Sequence, residues 1–489
     1  MTSATDKNRL VAKRSRSIAK LAALLCLLPL IVLLAGCTNT LTVQVAGVGT
    51  GSVSSSPAGI SCGAGGVACM DSTSQGTAFT LNATPSSGSV FAGWAGACSG
   101  SNPSCSVTLN SNLTVFAYFR TTQVSTGAYH TCALKMDGTV KCWGRNSEGQ
   151  LGRGTTQNAG DDFPTTVTNL SNVVAIAAGG YHTCALLLGG SVQCWGSNTQ
   201  GQAGDATGAD PISAPTPIRT FATVPGIAIA AGGYHSCELM SDGTVMCWGY
   251  NHDQQITAGT FGSTATAIPA AGIAGAVAVT AGAYHSCALL GNGSAACWGY
   301  NHDGETGTSP AAFNTLAISA RQLDASMGAG VQGTTAQGGY HTCALLTNAS
   351  VSCWGFNGHG ELGNGTTSGP QPVGTAVTAS PLGPASSVAA GGYHTCAIVA
   401  GAVTCWGADE SAQLGRGTFG GDLLVPAVVS GAPPPALTVD AGGYHTCAVF
   451  SGSPDDVRCW GRNSEGEVGR LPNNTSVDPV TVPLKPLGF

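Results

Sequence analysis

Charge is what this sequence has least of. Of its 489 residues only 18 are Lys or Arg and 24 are Asp or Glu. A chain this poor in cations, with a formal net charge of −6, has no basic footprint, so no nucleic acid is expected as a partner. No stretch beyond the first 36 residues carries apolar side chains at a helical period, which excludes a helical bundle or a coiled coil. The nucleophile elbow, the phosphate-cradling glycine loop and the His-Glu-x-x-His helix are all missing, so no enzymatic activity and no cofactor are expected. The one long apolar run, 21–34, is short for a membrane span.

What the chain does have is glycine (72), cysteine (20) and a period. A Tyr-His pair recurs at Tyr129, Tyr181, Tyr234, Tyr284, Tyr340, Tyr393 and Tyr444, and successive histidines are 52, 53, 50, 56, 53 and 51 residues apart. A fixed period near 50 marks one supersecondary unit made repeatedly, each copy burying its apolar face on its neighbours. In the first copy short apolar runs flank Met136, Asp137 and Gly138, and β-branched Thr139 and Val140 follow. That pattern predicts a β-hairpin with Gly138 at the positive-φ position, so that Cys132 lies opposite Cys142. The same spacing places Cys184 with Cys194, Cys237 with Cys247, Cys287 with Cys297, and Cys343 with Cys353. Cys396 with Cys405 is one residue tighter, and Cys447 with Cys459 two residues longer. Facing strand positions are close enough to bridge, so seven disulfides are expected. Zinc is the rival reading, but the closely spaced cysteine pairs that zinc sites use are absent. Further strands are expected at 164–167 and 173–176, giving about four per unit, the make-up of a propeller blade. The C-terminal segment 480–484 is expected to close the ring by joining the blade that begins at 122–125.

The first 36 residues read as a processing signal. Six basic residues precede the apolar run, and small residues then lead into Cys37. The segment Leu34-Ala35-Gly36-Cys37 resembles the bacterial lipobox, which implies cleavage before Cys37 and lipidation of its thiol. An uncleaved anchor and an ordinary signal are the alternatives. Thr38 at the next position favours the outer membrane or cell surface in a Gram-negative host. Loss of six basic residues and Asp6 leaves 12 basic against 23 acidic, a net of −11. Cys26 leaves with the signal, and Cys62 with Cys69 and Cys98 with Cys105 read as loop staples. Every remaining cysteine then has a local partner, as an oxidising compartment requires.

Residues 41–120 alternate short strands with Gly/Ser turns. The segments 79–85, 88–94, 107–109 and 115–119 resemble the divergent internalin-type B repeat, which implies a small β-grasp-like domain serving as a spacer or adhesive module. Trp94 reads as core. From residue 121 the resemblance changes. Ala-Gly-Gly-x-His before one strand, Trp-Gly-x-Asn after the next and Gly-Gln-Leu-Gly beyond it, as at Cys142-Trp143-Gly144-Arg145-Asn146 and Gln150-Leu151-Gly152, resemble the regulator of chromosome condensation repeat. The fold class that follows is all-β: a seven-bladed β-propeller over 121–489, preceded by the β-grasp-like domain over 41–120, a short lipidated linker at 37–40 and the cleaved signal at 1–36.

The seven repeated histidines read as turn residues bonded to nearby backbone, because a catalytic group needs one unique site rather than seven equivalents. The seven tryptophans read as blade packing. More distinctive are three consecutive, equivalent loops carrying Tyr250, His252 and Asp253, then Tyr300, His302 and Asp303, then Phe356 and His359. Blades one and seven carry Arg145 and Glu148, and Arg462 and Glu465, instead. Blade equivalence puts these loops on one face, and exposed aromatics and arginines there form a candidate binding face. The expected function is an exported, lipid-anchored protein whose propeller binds a protein or glycan. The resemblance also implies two alternatives: a secreted propeller inhibitor of the β-lactamase-blocking type, and a guanine-nucleotide exchange factor.

Overall fold

The computed structural model describes residues 38–63, 66–156, 161–218, 224–307, 313–316, 320–325, 341–367, 373–433, 435–453, 455–470 and 479–489. Cys37 and the signal lie outside them. Every regular element among the described residues is a strand.

The N-terminal unit is a pair of sheets. One has the order Met70–Ser74, Thr38–Ala46, Leu113–Arg120, Val90–Gly96, with its two central strands parallel. The other runs Gly66–Ala68, Ser61–Gly63, Gly51–Ser56, Ala78–Pro85, Ser104–Thr108. Period-two alternation along Thr38–Ala46 turns Leu41 and Val43 inward, onto Phe79, Leu81, Trp94, Val115 and Phe119. Trp94 is core, its indole Nε1 donating to the Asn102 carbonyl at 2.8 Å. Disulfides join Cys62 to Cys69 and Cys98 to Cys105.

Seven four-stranded sheets follow, each of four consecutive strands. Sheet one holds Gln123–Thr126, His130–Leu134, Val140–Gly144 and Asp161–Thr166; sheet seven holds Ala436–Ala441, His445–Phe450, Asp456–Gly461 and Val480–Leu484. The hairpin chemistry is local. Lys135 N–H bonds the Thr139 carbonyl, Gly138 has φ +89°, and the Asp137 carboxylate accepts from the Thr139 amide at 2.9 Å and hydroxyl at 2.6 Å. Asp242 with Thr244, Asn292 with Ser294 and Asn348 with Ser350 repeat that turn. It sets the register that pairs Cys132 with Cys142. The corresponding cysteines of all seven sheets are joined as disulfides, with Cα atoms 4.0–4.1 Å apart. Each closes a short loop, contributing about 2–3 kcal/mol on the chain-entropy view.

Neighbouring sheets are tied by the tryptophans. Trp195 Nε1 donates to the Gln150 carbonyl of the preceding sheet at 2.8 Å, and Trp143 reaches the Glu467 carbonyl of sheet seven at 2.8 Å. This explains the Leu-Gly pair beyond the hairpins of copies one, five and six: Leu151 is buried, and a Cβ on Gly152 would lie 2.8 Å from Trp195 Nε1.

One expectation is corrected. Val480–Leu484 does not enter the first sheet; it is the outermost strand of sheet seven, with Val480 opposite Gly461 and Leu484 opposite Cys459. Every copy supplies its own four strands, and Gln123–Thr126 already fills the innermost place of sheet one, so no blade is left to complete. The last sheet meets the first by side-to-side bonding instead. Asp440 accepts from the Thr126 amide at 2.6 Å and hydroxyl at 2.8 Å, and Gly443 N–H bonds the Gly127 carbonyl. The C-terminal Phe489 ring packs 5.8 Å from Trp143.

The N-terminal unit docks on the hairpin-turn side of sheets one to three. Arg120 Nε donates to Met136 O at 2.8 Å, Gln44 Nε2 to Ser241 O at 3.0 Å, and the Tyr118 hydroxyl to Gly226 O at 3.3 Å. The opposite side, where His130 pairs with Gly144, carries the loops of interest.

Candidate functional site

The tyrosines preceding the repeated histidines gather on that opposite side. Tyr129 and Tyr181 have ring centroids 5.9 Å apart, Tyr181 and Tyr234 5.8 Å, Tyr234 and Tyr284 5.6 Å. Tyr393 and Tyr444 are 5.4 Å apart, and Tyr444 and Tyr129, across the junction of sheets seven and one, 6.3 Å. Tyr340 lies outside the described residues. The Tyr181 hydroxyl is hydrogen-bonded to that of Tyr234, which is also hydrogen-bonded to that of Tyr284. Burial, and then the negative charge that a neighbouring phenolate would bring, push the hydroxyl pKa of Tyr181 and Tyr234 above the usual phenol range. The result is a neutral aromatic collar. Sequence reasoning missed it, although the signal was there: a tyrosine in every copy at a fixed place before the strand.

Around the collar sits one variable residue per sheet, the one following Trp-Gly. It is Arg145, Ser197, Tyr250, Tyr300, Phe356, Ala408 and Arg462 in turn. The backbone amide of each, Phe356 excepted, donates to the carbonyl of its own sheet's collar tyrosine at 2.8–3.0 Å. Five kinds of side chain are thus presented at seven equivalent positions, six of them held by the same backbone bond.

The candidate binding residues do share this face. Tyr250 lies 6.4 Å from Tyr234 and 5.9 Å from Tyr284, and His252 packs 5.0 Å from Tyr250. Tyr300 lies 6.3 Å from Tyr284, His302 is 6.1 Å from Tyr300, and His302 Nδ1 is 3.2 Å from Asp303 Oδ1. Phe356 packs on His359, whose ring meets Tyr393 edge-on at 5.8 Å and whose Nδ1 is 2.9 Å from Asp422 Oδ2. Asp253 is half-buried, which raises its carboxyl pKa. On the other side, Arg145 lies over Tyr129 and Tyr181 at 5.7 Å each, and Arg462 over Tyr129 at 4.8 Å and Tyr444 at 5.6 Å. Cations crown one arc and aromatics with acids the other. No group of three or more His, Cys, Asp or Glu able to hold a metal ion occurs among the described residues.

The repeated histidines are not turn residues bonded to backbone. Each begins a strand, is wholly buried, and sends Nε2 to a hydroxyl of the next sheet: His130 to Thr183 at 2.9 Å, His182 to Ser236 at 2.7 Å, His235 to Ser286 at 2.8 Å. The series continues from His285 to Thr342, His341 to Thr395, His394 to Thr446 and His445 to Thr131, each at 2.8 Å. Each hydroxyl in turn donates to a backbone carbonyl, as Thr183 does to Gln150 at 3.0 Å. The hydroxyl proton is therefore spent, and Nε2 must be the imidazole donor. Burial pushes all seven imidazoles down to about 3. They are neutral structural links rather than bases.

Comparison with known proteins matches this architecture. The model of the RCC1-like domain matches residues 52–384, a span that opens inside the N-terminal unit. Models of the regulator of chromosome condensation (RCC1) repeat match 400–449 and 438–467. The ultraviolet-B receptor UVR8 of Arabidopsis thaliana is 25% identical over 362 residues, 73% of this chain and 69% of the receptor. The probable E3 ubiquitin-protein ligase HERC6 of Homo sapiens is 36% identical over 138 residues, 27% of this chain but 13% of that protein. Among solved structures, human WBSCR16 superposes with a TM-score of 0.61 at 18% identity, covering 71% of this chain and 94% of that one. Prp20p of Saccharomyces cerevisiae, characterised for its binding to Gsp1p and histones, superposes with a TM-score of 0.60 at 20% identity, covering 71% and 85%. These two likenesses speak for the fold alone.

Proposed function

The chain belongs to the RCC1-like domain family, and from that premise we propose that it is a protein-binding module whose working surface is the tyrosine collar and its variable rim. The observation that carries this reading is the rim itself: one residue per sheet, Arg, Ser, Tyr, Phe or Ala, with six of the seven held by the same backbone bond. A rigid scaffold that varies only its loop side chains is how recognition surfaces are made. Aromatic and arginine side chains concentrated there are the residue types that dominate binding energy. We read the seven sheets as a closed seven-bladed propeller, supported by the bonds between the last sheet and the first.

We read the protein as exported and anchored through lipid on Cys37, with the N-terminal unit as an internalin-type B spacer. The parallel pairing of Thr38–Ala46 with Leu113–Arg120 fits a grasp-like core, although no helix among the described residues crosses it. Nine bridged cysteine pairs suit an oxidising compartment. Ala46 joins the core of the first sheets, so Thr38 is the end of its strand remote from the ring. An anchor at Cys37 then holds the hairpin side toward the membrane and turns the collar outward.

The test is capture of cell-envelope proteins by the chain, compared with a Tyr250→Ala/Tyr300→Ala/Phe356→Ala variant. Loss of a specific protein from the variant supports the reading. Capture unchanged by all three substitutions removes this face as the binding surface. Retention of a polysaccharide in place of a protein makes the ligand a glycan.

A further inference from the structure

Two buried acids of sheet four lack the cation that their counterpart in sheet seven possesses. In sheet seven the guanidinium of Arg462 lies over the collar, and its Nε is 3.3 Å from Oε1 of Glu467, a fully buried residue. Glu305 is the same residue in sheet four. Its Oε2 accepts from the Asp303 amide at 3.0 Å, as Glu467 Oε2 does from Glu465 at 2.9 Å. Its carbonyl holds Trp354 at 2.8 Å, as that of Glu467 holds Trp143.

The difference is that Tyr300 stands where Arg462 stands. Glu305 Oε1 and Asp303 Oδ2 have no hydrogen-bond partner among the described residues, although the two side chains are 0% and 2% exposed. Glu467 Oε1 also lacks a hydrogen bond but has the ion-pair contact with Arg462 that Glu305 lacks, and Asp303 has only His302 at its other oxygen. A buried carboxyl oxygen left unpaired is destabilising. Burial, to which the neighbouring Asp303 adds its charge, raises the Glu305 pKa well above the carboxylate range.

Above these acids Tyr250 and Tyr300 flank Tyr284 at 5.9 and 6.3 Å. Asp253, from the loop of sheet three, lies close enough to raise the hydroxyl pKa of both flanking tyrosines. The row Tyr250, Tyr284, Tyr300 thus lies within electrostatic reach of Asp253, Asp303 and Glu305, and we call the gap between Tyr250 and Tyr300 the notch. Aromatic walls favour a guanidinium or ammonium group, whereas a hard divalent ion wants about six or more oxygens around it.

We propose that the notch between Tyr250 and Tyr300 receives an arginine side chain of the protein partner, in the way that sheet seven receives its own Arg462. This rests on the collar face being the partner surface.

The test is titration of the whole chain with Nα-acetyl-L-argininamide, followed by NMR of 13C-labelled tyrosine, with the neutral citrulline analogue as control. The expected result is saturable shifts with the arginine compound and none with citrulline. Affinity should fall at least ten-fold in Asp303→Asn/Glu305→Gln and stay unchanged in Glu148→Gln. Should the double variant fail to fold, Tyr300→Arg serves instead, because it fills the notch from within: it should melt higher than wild type and no longer respond. Equal response to arginine and citrulline, absence of saturation, or a full response from Tyr300→Arg would overturn the proposal. Protein capture by the collar without probe binding removes the notch alone; probe binding without capture supports the notch and removes the wider reading.

Discussion

The imidazole of His445 lies 2.8 Å from the hydroxyl of Thr131, a residue 314 positions earlier in the chain. Thr131 also donates to the Glu467 carbonyl at 2.8 Å. One hydroxyl thus serves both a histidine and a backbone acceptor of the last sheet, and it belongs to the first. Replacing Thr131 by Val keeps the shape and strands the His445 imidazole in a dry site, while the Glu467 carbonyl keeps Trp143. The expected cost is about 2 kcal/mol, read as a lower urea midpoint at unchanged m-value. An exposed-turn control, Thr366→Val, should cost much less.

The same histidines set an acid limit. Their folded pKa of about 3 is below the usual 6.5, so between those values the unfolded chain binds protons that the folded chain refuses. Stability is therefore lost as pH falls from 6.5 toward 3, by up to about 1.4 kcal/mol per pH unit for each histidine. Buried carboxyls oppose this: Glu238 is raised to about 8, Glu361 and Glu467 to about 7, Glu305 well above the usual range, and Asp440 upward as well, burial being the main cause. The first three remove stability as pH rises from 4.5 to 7–8. Seven histidines outnumber them below pH 6.5. Melting temperature should peak near pH 6.5, fall steeply on the acid side and shallowly on the alkaline side. A profile flat from about pH 4 to 7 would show the histidines to be accessible to protons.

Glycine positions separate strain from contact. Gly152 and Gly154 both have positive φ, +69° and +79°. A Cβ on Gly152 would meet Trp195 Nε1 at 2.8 Å and Val167 Cγ1 at 2.9 Å, whereas one on Gly154 meets nothing within 4 Å. Gly154→Ala should cost about 1 kcal/mol from backbone strain alone. Gly152→Ala should cost clearly more and blue-shift or broaden the fluorescence of the packed indole.

Removal of one hairpin bridge tests the covalent lacing. Cys132→Ala/Cys142→Ala should lower stability by about 2–3 kcal/mol, with the sheet retained because the hairpin turn is independent of the sulfurs. Full reduction of the native chain should lower the melting temperature far more than the double variant does.

What could be read from the sequence was whatever a single copy decides. The Asp137-Gly138-Thr139 turn, the facing of Cys132 and Cys142, and the equivalence of the Tyr250 and Tyr300 loops all arise within one copy of the repeat. What could not be read depends on neighbours a full period apart. The hydroxyl partner of each histidine, the tyrosine collar and the carbonyl that six of the seven repeat tryptophans find exist only once two copies stand side by side. The placement of 480–484 failed for the same reason. An isolated strand pattern says that it pairs, and only the filled inner place at Gln123–Thr126 says where it does not.

The most direct measurement places a photoreactive side chain on each side of the question. His252→p-benzoylphenylalanine puts the probe on the collar rim; Val428→p-benzoylphenylalanine puts it on the exposed outermost strand of sheet six. Irradiated in the producing cells, the first should yield one discrete protein adduct and the second none. An adduct at Val428 with nothing at His252 would contradict the account.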